Sequence, residues 1–404
     1  MIRHCKKKPL IKKKNFKRSV LNNQGKTKVV YQFITTDKDL AQVCLKLEPC
    51  EIIGVDLEAD SMHCFSEKIC LIQIAGPNQA WLLDPFLIND FLPFSRILEN
   101  PEITKVFHGS DFDVRSLDRE LSVEIENLFD TEIACRFLNI KERGLGALLK
   151  SFFDIDVDKK YQKVDWSKRP LKEEMIAYSV GDVATLVDLH DLLKERLEKI
   201  GRLAWAEEEF ELQARVKYES NHSRPLFRRF KGAGKLDNRS LAVLEHLLEV
   251  RLSEAEKKDL PPFKIMSNQS ILTMVQHRPT SVESISKHRA LSPKQTGMYG
   301  QLCVKAIETA LALPHRELPS YPQTRVPRKT SQVLARIDAL KKMRETASQT
   351  LAMEPGFLIN NNMISAVAAG KPASPEDLLR IPGMRNWQVE ALGEHILETL
   401  SRVQ

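Results

Sequence analysis

Ile52-Ile-Gly-Val-Asp56-Leu-Glu58 is the stretch on which the fold turns. A β-branched run leads straight into two acids spaced two apart. On a strand, residues i and i+2 point to the same side. The Asp56 and Glu58 carboxylates therefore stand side by side at a strand end, where they repel each other unless a cation lies between them. Mg²⁺ takes oxygen ligands of this kind, usually one or two carboxylates together with water and substrate phosphate. In isolation the same text also fits a strand running into an acidic loop, since Asp60 follows closely.

On both sides of this strand, short apolar runs alternate with helical ones. Val29–Ile34 is expected as a strand, and Asp37–Leu47 as a helix capped by Thr36 or Asp37. Glu51–Leu57, Ile69–Ala75 and Ala80–Leu83 are expected strands, the last two as a meander. A helical stretch around Leu87–Glu99 precedes a strand at Ile103–Phe107, and helices dominate from there to about residue 218. A mixed sheet with helices packed on it is an α/β layer architecture. From about residue 239 no strand pattern remains. Phe263, Ile265 and Asn268 recur as Phe357, Ile359 and Asn362, which suggests a repeated helical module with a 94-residue offset. Pro314, Pro319, Pro322 and Pro327 mark a partly extended linker between the copies.

Three further acids stand out. In Lys105-Val-Phe-His108-Gly-Ser-Asp111-Phe-Asp113, a strand ends, a turn follows and a helix begins. Either aspartate could cap that helix, because acids favour helix N-termini. Asp113, slightly further in, is freer to project toward the sheet. In Tyr178-Ser-Val-Gly-Asp182, on a helix opened by Pro170, the Tyr and Asp share a face at i, i+4. An Asp beside the apolar stripe of Ile176, Val180, Val183 and Val187 needs a partner or a metal, although exposed Tyr–Asp pairs are common.

Each piece is ordinary alone, but their order is specific. A D-x-E strand, an Asp after a strand and turn, and Y-x-x-x-D on a helix resemble the DEDD exonuclease superfamily in its Tyr variant. Leu71-Ile-Gln-Ile74, Trp81-Leu-Leu-Asp84-Pro85, Phe129-Asp-Thr131 and Asp165-Trp-Ser-Lys-Arg169-Pro-Leu171 are similar to ribonuclease D and the related exosome exonucleases. The helical segments resemble HRDC domains, and Pro375-Glu-Asp-Leu-Leu-Arg-Ile-Pro-Gly383 fits that module best. The resemblance implies a ribonuclease H-like α/β exonuclease domain followed by two all-α HRDC helical bundles. The expected organisation is a basic disordered tail at 1–28, the exonuclease domain at 29–218 and a basic linker at 219–238. HRDC modules are expected at 239–312 and 331–404, around a Pro-rich linker at 313–330.

The resemblance also implies chemistry. Asp56, Glu58, Asp113 and Asp182 would bind two divalent cations, Mg²⁺ or Mn²⁺, and Tyr178 would orient the attacking water. Asp56 would bridge both ions, Glu58 and Asp182 would hold the one beside the nucleophile, and Asp113 the other. Asp111 competes with Asp113 for the third position. His108 is as well read as a hydrogen-bonded turn residue, and Asp165, Trp166 and Arg169 as a brace for the Tyr178 helix. The implied reaction is 3′-to-5′ hydrolysis of RNA releasing 5′-nucleoside monophosphates, with transfer RNA precursors carrying 3′ extensions as substrates. Two rivals are an exonuclease acting on DNA, as in Werner-type proteins, and a non-catalytic RNA-binding scaffold. The scaffold predicts loss of an acid, and none is lost. A helicase is excluded by the lack of a G-x-x-x-x-G-K-[ST] loop; Gly232-Ala-Gly-Lys235 is a fragment expected to mark only a turn.

Composition sets the outer bounds. The 404 residues carry a net charge of +7, yet residues 1–28 alone hold eleven Lys/Arg and no acid, which leaves the rest at −4. Such a basic block contacts polyanions or simply stays solvated. The seven cysteines are scattered without C-x-x-C, which argues against a disulfide framework or a zinc site. No apolar run is long enough for a membrane helix, and the start lacks a signal-peptide core. A cytoplasmic, monomeric protein is the expectation. Arg224-Pro-Leu-Phe-Arg-Arg-Phe-Lys231 interleaves cations with aromatics and reads either as an RNA contact or as a linker packed through its phenylalanines.

Overall fold

The computed structural model describes residues 18–21, 28–77, 79–157, 159–219, 225–322 and 329–403. Its seven strands are β1 (Arg18–Leu21), β2 (Lys28–Ile34), β3 (Ile52–Ala59), β4 (Ile69–Ala75), β5 (Ala80–Leu83), β6 (Thr104–Phe107) and β7 (Leu128–Asp130). They form one sheet in the order β1-β2-β5-β4-β3-β6-β7. β1 is antiparallel to β2, and β4 to β5, whereas β2–β5, β3–β6 and β6–β7 are parallel. The strand that carries the acids thus lies inside the sheet, between β4 and β6. All seven residues of β4 are buried, as expected of a strand covered on both faces.

Most expected elements fall where the pattern placed them. The helix α1 (Asp37–Leu47) is capped by the Thr36 side chain, which accepts from the Asp39 N–H. Two strands differ from expectation. β7 is only three residues long and sits where helices were expected. β1 lies within the stretch expected to be a disordered tail; an edge strand pairs through its backbone, whatever its side-chain charge. The rest of that tail, 1–17 and 22–27, is outside the described residues.

Two compact units make up the chain. The first comprises residues 1–58, 69–218 and 328–404, and so joins the sheet, its helices and the last helical module. Around the sheet are α2 (Leu92–Leu98), α3 (Asp111–Leu121), α4 (Thr131–Phe137), α5 (Leu145–Phe153), α6 (Glu173–Ala184), α7 (Leu186–Lys199) and α8 (Leu203–Ala214). The second unit comprises residues 59–68 and 219–327. Its helices are α9 (Asn238–Lys258), α10 (Pro262–Ile265), α11 (Asn268–His277), α12 (Val282–Lys287) and α13 (Pro293–Ala312). The loop after β3 belongs to it: the Phe65 N–H donates to Asp259 at 3.1 Å.

The first unit ends in α14 (Ser331–Leu351), α15 (Pro355–Leu358), α16 (Asn361–Gly370), α17 (Pro375–Leu379) and α18 (Asn386–Arg402). Each begins 93 residues after its counterpart in α9–α13. The repeat is therefore real, but its offset is 93 and not 94. Phe357 and Ile359 occupy the positions of Lys264 and Met266, one removed from the residues whose names they share. Arg251 bonding Asn268 Oδ1 is matched by Arg344 bonding Asn361 Oδ1, which fixes the register.

An aromatic seam fastens this last bundle to the sheet's helices. The Trp387 ring lies 5.1 Å from Phe137, 5.5 Å from Phe357 and 5.8 Å from Trp205 between centroids. Glu208 accepts from the backbone N–H groups of Asn386 and Trp387, at 2.8 and 2.9 Å, so α8 caps the start of α18. Arg143 bridges Glu132 and Glu354 across the same junction. No helix among the described residues is long and apolar enough to cross a membrane.

Candidate metal centre and exonuclease site

Gly54, Asp56 and Glu58 share one side of β3. At Gly54 a Cβ atom would lie 3.0 Å from the Val183 carbonyl oxygen and 3.1 Å from Leu186 Cβ. The missing side chain lets the α6–α7 junction settle directly on the strand. That approach brings Asp182, the neighbour of Val183, over the two β3 acids. Ligand oxygens from Asp56, Glu58 and Asp182 all lie within 4.8 Å of one another.

The third acid enters from α3. Residues two apart on a helix project about 200° apart, so only one of Asp111 and Asp113 can face inward. Asp113 is 6% exposed and close enough to Asp56 and Glu58 to act on both electrostatically, although it lies outside the tight trio. Asp111 is exposed and ion-paired with Arg115 at 3.0 Å, which holds its carboxyl below the usual range.

This crowding shifts every acid. Burial is the first cause throughout. It raises Asp56 to about 6, and together with the charge of Asp56 it raises Asp182 to about 8. Glu58 is pushed up to about 10 by burial and then by Asp56, Asp182 and Asp113. Burial, Asp56 and Asp130 hold Asp113 well above the ordinary carboxylate range. Carboxylates sharing a site disfavour each other's ionised form, and a divalent cation reverses that preference. An all-oxygen, all-acid donor set fits Mg²⁺ or Mn²⁺ and not a soft metal. The residues present therefore fit the implied cations.

Tyr178 lies one helical turn before Asp182 and is its hydrogen-bond partner. Its phenol is raised above its usual value by burial, then by Asp182 and Glu58. Two rings hold it: Tyr161 at 5.6 Å and Trp166 at 6.2 Å between centroids. Trp166 is 1% exposed, and its carbonyl accepts from Arg169. Arg169 in turn grips the fully buried Asp84 with two hydrogen bonds of 2.7 and 2.9 Å. The expected brace is present, and it reaches Tyr178 through Trp166.

Two contributors were given no role by the sequence: Asp130, which enters only within Phe129-Asp-Thr131, and Tyr161, which was not singled out at all. Asp130, 1% exposed, accepts from the N–H groups of Gly109, Ser110, Glu132 and Ile133 and from the Ser110 hydroxyl. It locks the turn that launches α3, with Gly109 at φ +67°, and so fixes where Asp113 points. An Asp-Thr pair at a strand end is a helix-cap signal that could have revealed it. Tyr161 lies in a short turn with no periodicity to mark it. His108 is bonded to Thr131 Oγ1 at 2.9 Å, in keeping with a turn residue.

The fold and the acid cluster define a 3′-5′ exonuclease domain that carries helical modules. Residues 31–198 match the 3′-5′ exonuclease family, and residues 240–307 and 333–400 match the HRDC domain. Over about nine tenths of its length the chain is similar to proteins named ribonuclease D. It is 27% identical over 371 residues to ribonuclease D of Pseudomonas paraeruginosa, covering 91% of this chain and 97% of that one. Against ribonuclease D of Nitrobacter hamburgensis it is 27% identical over 368 residues, or 90% and 94% of the two chains. The crystal structure of Escherichia coli RNase D, described as an exoribonuclease involved in structured RNA processing, shares the fold with a TM-score of 0.70 at 24% identity. That match spans 92% of this chain and 99% of the other.

Proposed function

We propose that the chain is a metal-dependent 3′-to-5′ exoribonuclease that shortens RNA from its 3′ end, with 3′-extended transfer RNA precursors as substrates. The observation that carries the proposal is the convergence of Asp56, Glu58 and Asp182 within 4.8 Å beside Tyr178. The curated relatives named ribonuclease D support RNA as the polymer.

Asp56, Glu58 and Asp182 would hold one divalent cation, and Asp56 with Asp113 a second. Bound there, such cations lower the pKa of water and neutralise charge on the phosphate and the leaving oxygen. The protein's part is to place the acids and the phenol. Tyr178 keeps its proton at neutral pH, because burial and the neighbouring carboxylates oppose its loss. Its Oη therefore orients the attacking water and does not deprotonate it. Attack at phosphorus breaks the bond to O3′ of the penultimate nucleotide, so the terminal nucleotide leaves as a 5′-monophosphate and the shortened strand gains a 3′-hydroxyl.

The test is digestion of a 3′-extended transfer RNA by wild type and by Asp56→Ala, with Mg²⁺, with Mn²⁺ and with chelator. Metal-dependent loss of nucleotides from the 3′ end, absent in the variant, is expected. Binding without cleavage in either metal would make the protein a scaffold, and faster cutting of single-stranded DNA would change the polymer.

A further inference from the structure

The basic stretch between the sheet unit and the first helical module has a structure of its own. The turns Leu226–Arg229 and Ala233–Lys235 are each a single helical turn, separated by Gly232 at φ +95°. Phe227, Phe230 and Ala233 are buried in the core of the second unit. The Glu245 carboxylate accepts from the N–H groups of both Leu226 and Phe227 at 2.9 Å, which pins the start of the stretch to α9. The phenylalanines are therefore anchors and not stacking surfaces. What they anchor is a row of exposed cations. Arg228, Lys231 and Lys235 all face solvent, with no acid between residues 225 and 236 and no ion pair among the described residues. The nearest acid in sequence, Asp237, is taken up by Arg278 at 3.3 Å and by the Ser240 N–H at 2.8 Å.

A notch lies beside this row, lined by Gly234, Leu236, Asn238, Ser320, Tyr321 and Pro322. Tyr321 is its aromatic wall. Its hydroxyl donates to the Arg228 carbonyl at 3.3 Å, and its ring sits where a Cβ on Gly234 would press at 3.3 Å. Exposed cations that follow a rigid backbone, next to a half-exposed aromatic ring and two neutral polar side chains, form the pattern that holds single-stranded nucleic acid. Charge tracks the phosphates, and the ring takes a base irrespective of sequence. An acidic peptide would use the cations but leave the ring and the notch without a role.

We propose that Arg228, Lys231, Lys235 and Tyr321 form a docking surface for single-stranded RNA, separate from the acid cluster that cuts it. The inference builds on the exoribonuclease reading, and its test does not need catalysis. A fluorescently labelled 20-nucleotide unstructured RNA is titrated with the full chain in chelator, and anisotropy is followed over a range of salt.

Each lost phosphate contact to a single strand lowers the salt slope of log K by about 0.7. The triple variant Arg228→Ser, Lys231→Ser, Lys235→Ser should therefore lose about 2 from the slope and bind about 100-fold more weakly near 0.1 M salt. Tyr321→Ala should bind about tenfold more weakly with an unchanged slope, and Tyr321→Phe should bind like wild type. Thermal melts of all three guard against misfolding. An unchanged slope in the triple variant overturns the proposal. So does displacement of the RNA by an equal concentration of a 20-residue polyglutamate, which would assign the surface to an acidic protein. A wild type that binds here but cleaves no RNA would overturn the exoribonuclease reading and leave this surface standing.

Discussion

Asp182→Asn should stabilise the metal-free protein while abolishing its activity. Asp182 is 6% exposed, and its carboxyl is pushed up to about 8. The unfolded chain gives up the same proton near 3.8. A carboxyl raised on folding contributes its full stability below its unfolded value, and loses it as the pH climbs toward the folded one. At pH 7.5 the cost is about 1.4 kcal/mol for each pH unit above 3.8, roughly 5 kcal/mol in all. Sharing of protons with Asp56 and Glu58, and the water that reaches those two partly exposed acids, reduce this to about 2 kcal/mol. Removing the charge should therefore raise the melting temperature in chelator by about 4–8 °C at pH 7.5, and by much less at pH 5. Adding Mn²⁺ should reverse the order, because wild type gains a ligand that the amide lacks. Turnover should fall by about 10³-fold or more. Scanning calorimetry at the two pH values, with and without metal, checks each step. A variant that melts below wild type in chelator at pH 7.5 would refute the electrostatic account of the cluster.

Three further outcomes follow from the packing. Gly54→Ala places a methyl 3.0 Å from the Val183 carbonyl; it should cost about 1–3 kcal/mol by overpacking and slow turnover about 10–100-fold by displacing Asp182, read by urea melts and initial rates. Arg169→Ala leaves the fully buried Asp84 without its cation and should cost about 3–5 kcal/mol; replacing both residues with apolar ones of similar volume should recover much of that in the same denaturation assay. Trp387→Ala opens the aromatic seam and should cost about 3–5 kcal/mol, with hydrogen exchange accelerating in α4 and α8 as well as in α18; protection lost in α18 alone would show the bundle to be independent.

What could be read from the sequence depended on how local the cause was. β4 and β5 lie where their apolar runs placed them, and Thr36 caps α1, because periodicity and caps are properties of neighbours. The pairing of Asp56 with Glu58 followed from strand geometry alone. Asp113 and Asp111 could not be separated, since both lie in the first turn of α3 and only the direction of the sheet distinguishes them. β7 is too short for its alternation to register, and β1 owes its existence to a ladder with β2. The 94-residue offset came from matching residue names, whereas the helices repeat by position. Nothing local in Trp387, Glu208 or Phe137 announces that they meet.

That meeting has a consequence for how the protein is made. Phe137 and Trp387 are 250 positions apart in the chain. At about 5–20 residues per second, the ribosome takes about 12–50 s to produce the second after the first. Phe137 lacks its Trp387 partner for all of that interval, and Trp205 for its last 182 residues, about 9–36 s, during which Glu208 has no helix end to cap and Glu209 no Arg385 or Trp387 side chain to bond. The nascent chain thus carries a timed apolar patch, closed only from far downstream, and a chaperone that binds aromatic surface would meet it during synthesis.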